Sequence, residues 1–179
     1  LGITDTDVQY MSDSTGTILA FVQQGDLWSY NIETNKMTRV FRFRDTGSND
    51  ERNDINRHDI KIVRVSENGD IDFILYGYMN RGQHEGQVGT SVYHYSAEQN
   101  AMEEEFFLRS LQSSEFLQKD VEKLSYVSED GNLYLLLEGN LYRFQMEEKT
   151  YEVLQEQIED DCFFVSENSR YAAWMDGMD

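Results

Sequence analysis

The chain has 179 residues, and 34 Asp and Glu against 15 Lys and Arg give it a formal net charge of −19. Such a charge repels phosphate backbones and anionic lipid headgroups, so binding of nucleic acid or of a membrane surface through a basic patch is disfavoured. Hydrophobic residues make up 39% and aromatic residues 13% of the chain. Acidic disordered chains are poor in aromatics, so this chain is expected to fold and to prefer basic, cationic or uncharged partners.

The cysteine count and the hydropathy argue against disulfides, metal sites with paired cysteines and membrane spans. A single cysteine, Cys162, excludes an intramolecular disulfide and any metal site that needs paired cysteines. The longest obvious apolar run, Leu133 to Leu137, is far shorter than the roughly 18 residues of a membrane span. We therefore expect no membrane insertion of this segment. The start at Leu1 rather than at a methionine suggests a segment of a longer protein.

Two short phrases recur along the chain, which indicates an internal repeat. The first phrase is Ser, an acidic residue, Asn or Asp, then Gly; its Ser positions are spaced irregularly, 38 to 62 residues apart. Its copies are Met11–Gly16, Val65–Gly69, Val127–Gly131 and Val165–Ser169. The second phrase combines Gly with an aromatic strand and occurs as Gly25–Tyr30, Gly89–Tyr95 and Gly139–Phe144. The second phrase follows the first phrase in each of the first three copies, so the similarity is not explained by chance.

Between these phrases, apolar residues alternate with the period of strands rather than of helices. The predicted strands, in chain order, are Val8–Met11, Thr17–Gln23, Leu27–Ile32, Met37–Phe43, Ile60–Val65, Ile71–Tyr78, Ser91–Tyr95, Met102–Leu108, Glu122–Val127, Leu133–Glu138, Leu141–Met146, Tyr151–Gln155, Cys162–Val165 and Tyr171–Asp176. They group into four-stranded antiparallel meanders. Gly-Asp and Gly-Asn at the middle turns suit hairpins with positive φ, which Gly adopts without steric cost.

Repeating four-stranded units of about forty residues are typical of propeller blades. The order of the two phrases resembles the WD-like repeat of TolB-type β-propellers, although Glu67 and Glu129 stand where that family usually has Pro. The resemblance implies one all-β, propeller-like domain over residues 1–179, with blades at 7–44, 60–109 and 121–158 and a partial blade at 161–177. A β-sandwich or an open stack of sheets is the alternative. Fourteen strands are too few for a normal closed ring, so we expect a fragment of a longer propeller.

The predicted connections differ in length between the two ends of each meander. One end has only short turns, whereas the other carries the long loops 45–59, 80–90 and 110–120, the last with a possible helical turn near Ser114 to Lys119. Long loops on a rigid scaffold are where binding usually occurs, so the long-loop end is the predicted working surface. Tolerated insertions are the alternative.

The loop between the second and third strands of the second unit supplies the candidate binding residues. It is rich in Gly and presents five polar side chains, Asn80, Arg81, Gln83, His84 and Glu85. These side chains could hydrogen-bond a ligand or a partner. The favoured alternative is an extended hairpin that packs over its own scaffold. The acidic loop 45–59 could hold Ca²⁺, but its spacing is not that of an EF-hand, and a solvated loop is the simpler interpretation.

The sequence predicts no catalytic residue, no metal site and no cofactor. It contains no Gly-x-Ser-x-Gly elbow, phosphate loop or dinucleotide fingerprint, and His58, His84 and His94 lack ligand spacing. His94 is expected to be a surface or interstrand histidine, and Cys162 a small buried hydrophobe. Runs of acidic residues such as 103–105 carry no specific signal in so acidic a chain. The aromatics at one shared repeat position are expected to pack between blades; they are Trp28, Tyr93 and Tyr142.

These observations favour a non-catalytic binding or protein-interaction module of a larger protein. The resemblance and the sparse cysteine favour an extracytoplasmic or cell-surface location, with a cytoplasmic one left open. The expected partner is a protein or a small neutral or cationic ligand. Two alternatives stay open: an accessory domain of an enzyme such as a peptidase, with catalysis outside this chain, and a structural domain that self-associates through exposed blade edges.

Overall fold

The computed structural model describes residues 9–42, 59–78, 83–109, 125–127, 131–158, 163–166 and 171–174. In these ranges the secondary structure consists of fourteen strands, all paired antiparallel, and contains no helix. None of the described residues therefore belongs to a helix long and apolar enough to cross a membrane. The predicted all-β fold of four-stranded antiparallel meanders is confirmed.

The strands form four sheets, each from consecutive strands in chain order. Sheet 1 contains β1 (Tyr10–Ser12), β2 (Ile18–Gln23), β3 (Asp26–Asn31) and β4 (Lys36–Phe41). Sheet 2 contains β5 (Asp59–Val65), β6 (Ile71–Tyr78), β7 (Val88–Ser96) and β8 (Ala101–Arg109). Sheet 3 contains β9 (Ser125–Val127), β10 (Asn132–Leu137), β11 (Asn140–Gln145) and β12 (Thr150–Gln155). Sheet 4 pairs β13 (Phe163–Val165) with β14 (Ala172–Trp174).

The predicted strands lie close to the observed ones, with one informative error in β7. This strand begins at Val88 rather than at Ser91, so Gly89 is not a turn glycine equivalent to Gly25 and Gly139. Gly89 instead pairs with Gly77 inside the β6–β7 ladder. A β-carbon at position 89 would lie 2.6 Å from Cζ of Phe107, so glycine is required here by close packing.

The chain divides into two compact units, residues 1–118 and 119–179. In the first unit, one face of sheet 1 packs against one face of sheet 2 and forms a continuous apolar core. Its buried members include Ile18, Ala20, Leu27 and Phe41 from sheet 1 and Ile62, Ile71, Phe73 and Leu75 from sheet 2. Burial of each large aliphatic or aromatic side chain contributes about 1.5–3 kcal/mol, so this layer is the main source of stability in the unit.

The second unit has a smaller core on sheet 3. Leu136, Leu141 and Ile158 are buried together, and Leu154 packs against them. Ile158 follows β12, and its N–H donates to the carbonyl oxygen of Gly139 at 2.8 Å. The segment after β12 therefore folds back onto the β10–β11 turn and covers this face of the sheet.

A β-bulge recurs at the same place in three sheets, between the third and fourth strands. The register shifts after Leu27 in sheet 1, after Val92 in sheet 2 and after Leu141 in sheet 3. The next residue of the third strand is in each case a large aromatic, namely Trp28, Tyr93 or Tyr142. The three aromatics therefore occupy the same position in the repeat, and Tyr93 packs against the core between sheets 1 and 2, as predicted for all three. A bulge bends its strand and increases the local twist, so the three sheets share one distortion.

The turn after the third strand is closed by a tyrosine and an asparagine in sheets 1 and 2. The hydroxyl of Tyr30 donates to Oδ1 of Asn35 at 2.8 Å, and that of Tyr95 donates to Oδ1 of Asn100 at 3.0 Å. Both asparagines have positive φ, 53° and 49°. Asn tolerates this left-handed region better than most residues. Each asparagine therefore both adopts the backbone conformation that the turn requires and accepts the hydrogen bond of the tyrosine hydroxyl.

Replacement of Asn100 by Ala is expected to lower the free energy of unfolding by about 1–2 kcal/mol, because Tyr95 loses its acceptor and Ala adopts positive φ poorly. Denaturant unfolding measures the loss. A double-mutant cycle with Tyr95→Phe should show a coupling energy of about 1 kcal/mol. Asn35→Ala is the matched control with a smaller loss, since Tyr30 is only partly buried. Strict additivity of Asn100→Ala and Tyr95→Phe would contradict the assigned hydrogen bond.

Candidate binding surface at the β6–β7 hairpin

The observed strand bounds place all the long connections at one end of the meanders. The connection between β6 and β7 covers residues 79–87, and the connections between sheets cover 42–58 and 110–124. At the other end, every turn between the paired strands of sheets 1, 2 and 3 has four or five residues. The predicted difference in connection length between the two ends of the meanders therefore agrees with the observed strand bounds.

Of the five candidate residues in the β6–β7 hairpin, Gln83, His84 and Glu85 are described by the structure. Gln83 and Glu85 are exposed, whereas His84 is partly buried. Asn80 and Arg81 lie outside the described residues, as do most of the predicted acidic loop 45–59, the predicted loop 110–120, His58 and Cys162. The geometry of the hairpin is therefore built from His84 and its neighbours.

His84 attaches the hairpin to strand β8. Its Nε2 lies 2.9 Å from Oε2 of Glu104, and its ring stacks on Phe107 with centroids 3.7 Å apart and planes 10° apart. The carbonyl oxygen of His84 also accepts a hydrogen bond from the N–H of Gln87 at 3.0 Å, which closes a turn through Gly86 at φ 81°. For His84, the geometry corresponds to the alternative of a hairpin that packs over its own sheet.

The stacking surface for His84 exists because position 89 has no side chain. The ring of Phe107 occupies the space that a β-carbon of Gly89 would fill, with Cε2 only 2.7 Å from that position. The aromatic ring can then lie close to β7 and present its face to His84. Strand β7 thus carries glycine at position 89 for a packing reason, which the sequence pattern alone does not reveal.

Glu104 connects the hairpin to the core between sheets 1 and 2. Tyr93 and Glu104 are cross-strand partners on β7 and β8, and the Tyr93 ring stacks on Phe73 with centroids 5.3 Å apart. Burial, reinforced by the negative charge of Glu104, raises the pKa of Tyr93 from 10.0 to about 12. We name His84, Glu104, Phe107 and Tyr93 the hairpin latch. Sequence reasoning missed Glu104 and Phe107, because only the bulged register pairs Tyr93 with Glu104.

A second polar cluster spans β5, β6 and β7 and has a structural role. The buried carboxylate of Asp72 accepts hydrogen bonds at Oδ2 from Nε and Nη2 of Arg64, at 2.7 and 2.6 Å. Nδ1 of His94 lies 2.7 Å from the other oxygen, Oδ1. Both oxygens of the buried carboxylate are therefore paired, as burial of a charge requires. His94 is an interstrand histidine, in agreement with the prediction.

The described residues do not form a metal-binding site. Among those residues, no group of three or more His, Cys, Asp or Glu side chains has an arrangement that could hold a metal ion. The chemistry that the described site can perform is recognition through hydrogen bonds and charge, from the exposed side chains beside the latch.

Comparison with known proteins gives likenesses to solved structures only. No family model and no curated protein matches the chain. Among solved structures, it is similar to the extracellular domain of a proposed one-component system from B. thetaiotaomicron, with 15% sequence identity and a TM-score of 0.32. The match covers 89% of this chain and 23% of the other chain. A likeness at this TM-score transfers neither fold nor function.

Substitution of His84 by Ala is expected to release the hairpin without unfolding the sheet. Loss of the Glu104 contact and of the stack on Phe107 removes interactions worth about 1 kcal/mol or more, so the amide of Gln87 should exchange with solvent on the order of tenfold faster. Hydrogen exchange read by mass spectrometry or NMR measures this. Gln83→Ala is the matched control, because Gln83 is an exposed residue of the same loop. Equal exchange in both variants would show that the latch does not hold the loop.

The raised pKa of Tyr93 predicts a specific alkaline sensitivity. A tyrosine whose pKa is higher in the folded state stabilises the fold below the unfolded pKa, and this contribution is lost as pH rises from 10 towards about 12. The stability advantage of the wild type over Tyr93→Phe should therefore shrink across that interval. Thermal unfolding of both proteins against pH measures it. Glu104→Gln should lower the pKa of Tyr93, since it removes the adjacent negative charge; parallel pH profiles for wild type and Tyr93→Phe would refute the assignment.

Proposed function

We propose that the chain is a non-catalytic protein-interaction module of a larger extracytoplasmic protein, and that it binds its partner at the long-loop end. The observation that carries the proposal is the latched β6–β7 hairpin. His84 fixes the loop on sheet 2, while its sequence neighbours Gln83 and Glu85 stay exposed. A loop held in one conformation loses less entropy when it binds, so polar side chains beside the latch are efficient recognition groups.

Repetition of one structural unit supports the propeller-type architecture in this proposal. Sheets 1, 2 and 3 have the same strand order and the same bulge beside an aromatic residue. Sheets 1 and 2 stack face to face through an apolar layer. Stacked four-stranded meanders are the building principle of propellers of the TolB type, which the sequence phrases resemble.

The charge of the chain defines the chemistry of the partner. At a net charge of −19, association is fastest with a surface that is basic, and repulsion disfavours acidic partners. Glu85 adds an exposed negative charge beside the latch. We therefore propose a protein partner with a basic or uncharged contact surface. The extracytoplasmic location in the proposal draws on the family resemblance and on the low cysteine content.

Site-specific photo-crosslinking in cells of the native host tests this function. A benzophenone amino acid at Gln83 or Glu85 in the natural protein is expected to give a discrete adduct with one partner. The matched control positions, Glu33 and Glu98, are exposed residues in the four-residue turns of the opposite end and should give no such adduct. The same adducts from both ends, or none from either, would contradict the proposal.

Three single variants then separate the contribution of loop conformation to partner binding from that of charge. His84→Ala should reduce the crosslinking yield at Gln83 roughly threefold to tenfold, because the loop must be ordered when the partner binds. Glu85→Lys should reduce it more than Glu85→Gln if the partner surface is basic, since it introduces repulsion as well as removing attraction. Unchanged yields in all three variants would show that the partner does not bind at the hairpin.

A further inference from the structure

The turn between β5 and β6 contains the one Asn-Gly pair of the chain. Asn68 and Gly69 lie in the second copy of the first repeat phrase, and no other asparagine of the sequence is followed by glycine. Asparagine is a thermolabile residue, because the backbone nitrogen of the next residue can attack its side-chain amide. Glycine has no Cβ and hinders that attack least. By local chemistry, Asn68 is therefore the most reactive side-chain amide of the sequence.

The turn holds both reacting groups in hydrogen bonds. The N–H of Gly69 donates to the carbonyl oxygen of Ser66 at 2.9 Å. Oδ1 of Asn68 accepts from the N–H of Asp70 at 3.1 Å, and Nδ2 of Asn68 donates to Oδ2 of Asp70 at 2.7 Å. The proton of the attacking nitrogen and both ends of the amide are thus engaged. Attack on the amide therefore requires the turn to open first.

Asp70 also anchors this turn to the turn between β7 and β8. Its Oδ1 accepts a hydrogen bond from the N–H of Ala97 at 2.8 Å. Gly69 is buried at φ 91°, and a β-carbon there would lie 3.1 Å from Cβ of Ala97, whereas Asn68 is exposed. The carboxylate of Asp70 therefore holds the neighbouring turn with one oxygen and the amide of Asn68 with the other. Opening of the turn depends on this one side chain.

The third copy of the phrase carries the same two residue types in the reverse order. Asp130 and Asn132 stand at the positions that Asn68 and Asp70 occupy in the second copy. Each of these two copies thus combines one amide with one carboxylate. An amide donates to a carboxylate, whereas two ionised carboxylates at that separation repel each other. Conversion of Asn68 to an acid would therefore replace a compatible pair by a repulsive one.

We propose that Asn68 is a site of spontaneous deamidation guarded by Asp70, and that the reaction loosens the contact between the β5–β6 and β7–β8 turns. The nitrogen of Gly69 bonds to Cγ of Asn68, the Cγ–Nδ2 bond breaks, and Nδ2 leaves as ammonia with the proton that the Gly69 nitrogen loses. Water then opens the cyclic imide at either of its two carbonyl carbons. The products are aspartate and isoaspartate, and no electrons are exchanged.

Both products weaken the hold of Asp70 on the neighbouring turn. The aspartate product places a second carboxylate against Asp70 and removes the donor Nδ2. The isoaspartate product also routes the main chain through the side chain of residue 68, which disturbs the hydrogen bond from Gly69 to Ser66. The Ala97 amide is then bound less tightly. This turn lies at the end of the meander opposite to the β6–β7 hairpin, so the site is independent of the proposed partner surface.

Incubation of the chain at mildly alkaline pH, followed by peptide mass spectrometry, measures conversion at each asparagine. Deamidation at Asn68 should be faster than at any other asparagine of the folded chain, but slower than at Asn68 in urea. Asp70→Ala should accelerate it on the order of tenfold, because the turn opens more easily, whereas Glu98→Ala in the neighbouring turn is the matched control without effect. Equal rates in the folded and urea-denatured chains, or faster reaction at another asparagine, would overturn the proposal.

Thermal unfolding tests the consequence of the reaction. Asn68→Asp represents the aspartate product and should lower the melting temperature by roughly 2–5 °C. The double variant Asn68→Asp with Asp70→Asn, which has the order of the third phrase, should recover most of this loss. The loss should also shrink as pH falls towards about 4, since a protonated carboxyl at position 68 donates to Asp70 again. A loss that persists in the double variant and at every pH would overturn the proposal.

Discussion

The apolar layer between sheets 1 and 2 is the constraint on which the rest of the first unit depends. Every residue of β6 from Ile71 to Gly77 is buried, so this strand has no solvated face and must be enclosed on both sides. Phe41 from sheet 1 lies against Phe73 and Tyr93 of sheet 2, with ring centroids 5.7 and 6.4 Å apart. A chain with 27% charged residues concentrates its apolar residues in this layer because a lone four-stranded sheet would leave them in water.

The hairpin latch derives its position from that layer. Phe41 and Phe73 pack against the ring of Tyr93, Tyr93 pairs with Glu104 across β7 and β8, and Glu104 contacts His84. The contacts form a continuous path from the core to an exposed loop. A packed core allows few alternative arrangements. Contacts with this core therefore hold the loop in one conformation, although the loop is at the surface. Long loops without such a path would depend on their own short-range contacts.

Alternation of apolar residues was sufficient to predict the strands and their grouping, because a period of two is a property of the local sequence. The same pattern did not predict the bulges, since one extra residue in β8 decides whether Glu103, Glu104 or Glu105 faces Tyr93. It also misplaced Gly89, because a turn glycine and a glycine beneath an aromatic ring look alike in sequence. The latch could therefore be predicted only as a loop rich in polar residues; its partners depend on the register of strands that are distant in sequence.

The buried charge of Asp72 restricts the strand register in a way that the hydrophobic pattern does not. A slip of the β5–β6 or β6–β7 register by one residue would move Arg64 or His94 away from the carboxylate. Asp72 would then be buried without its partners, which costs several kcal/mol. Apolar neighbours tolerate such a slip better, since one aliphatic contact resembles another. Asp72 therefore specifies the pairing of three strands more strictly than Ile71 or Phe73.

The recurrent bulge also affects how the outer strands meet other chains. β4, β8 and β12 lie at sheet borders, where unpaired N–H and C=O groups can template the addition of a foreign strand. A one-residue bulge interrupts the two-residue rhythm of those groups, so an added strand matches only the stretch on one side of it. In β8 each such stretch is about four residues long, so an added strand could pair with only part of this border in one register. The same one-residue insertion in sheets 1, 2 and 3 thus shortens the uniform border that a foreign strand could extend.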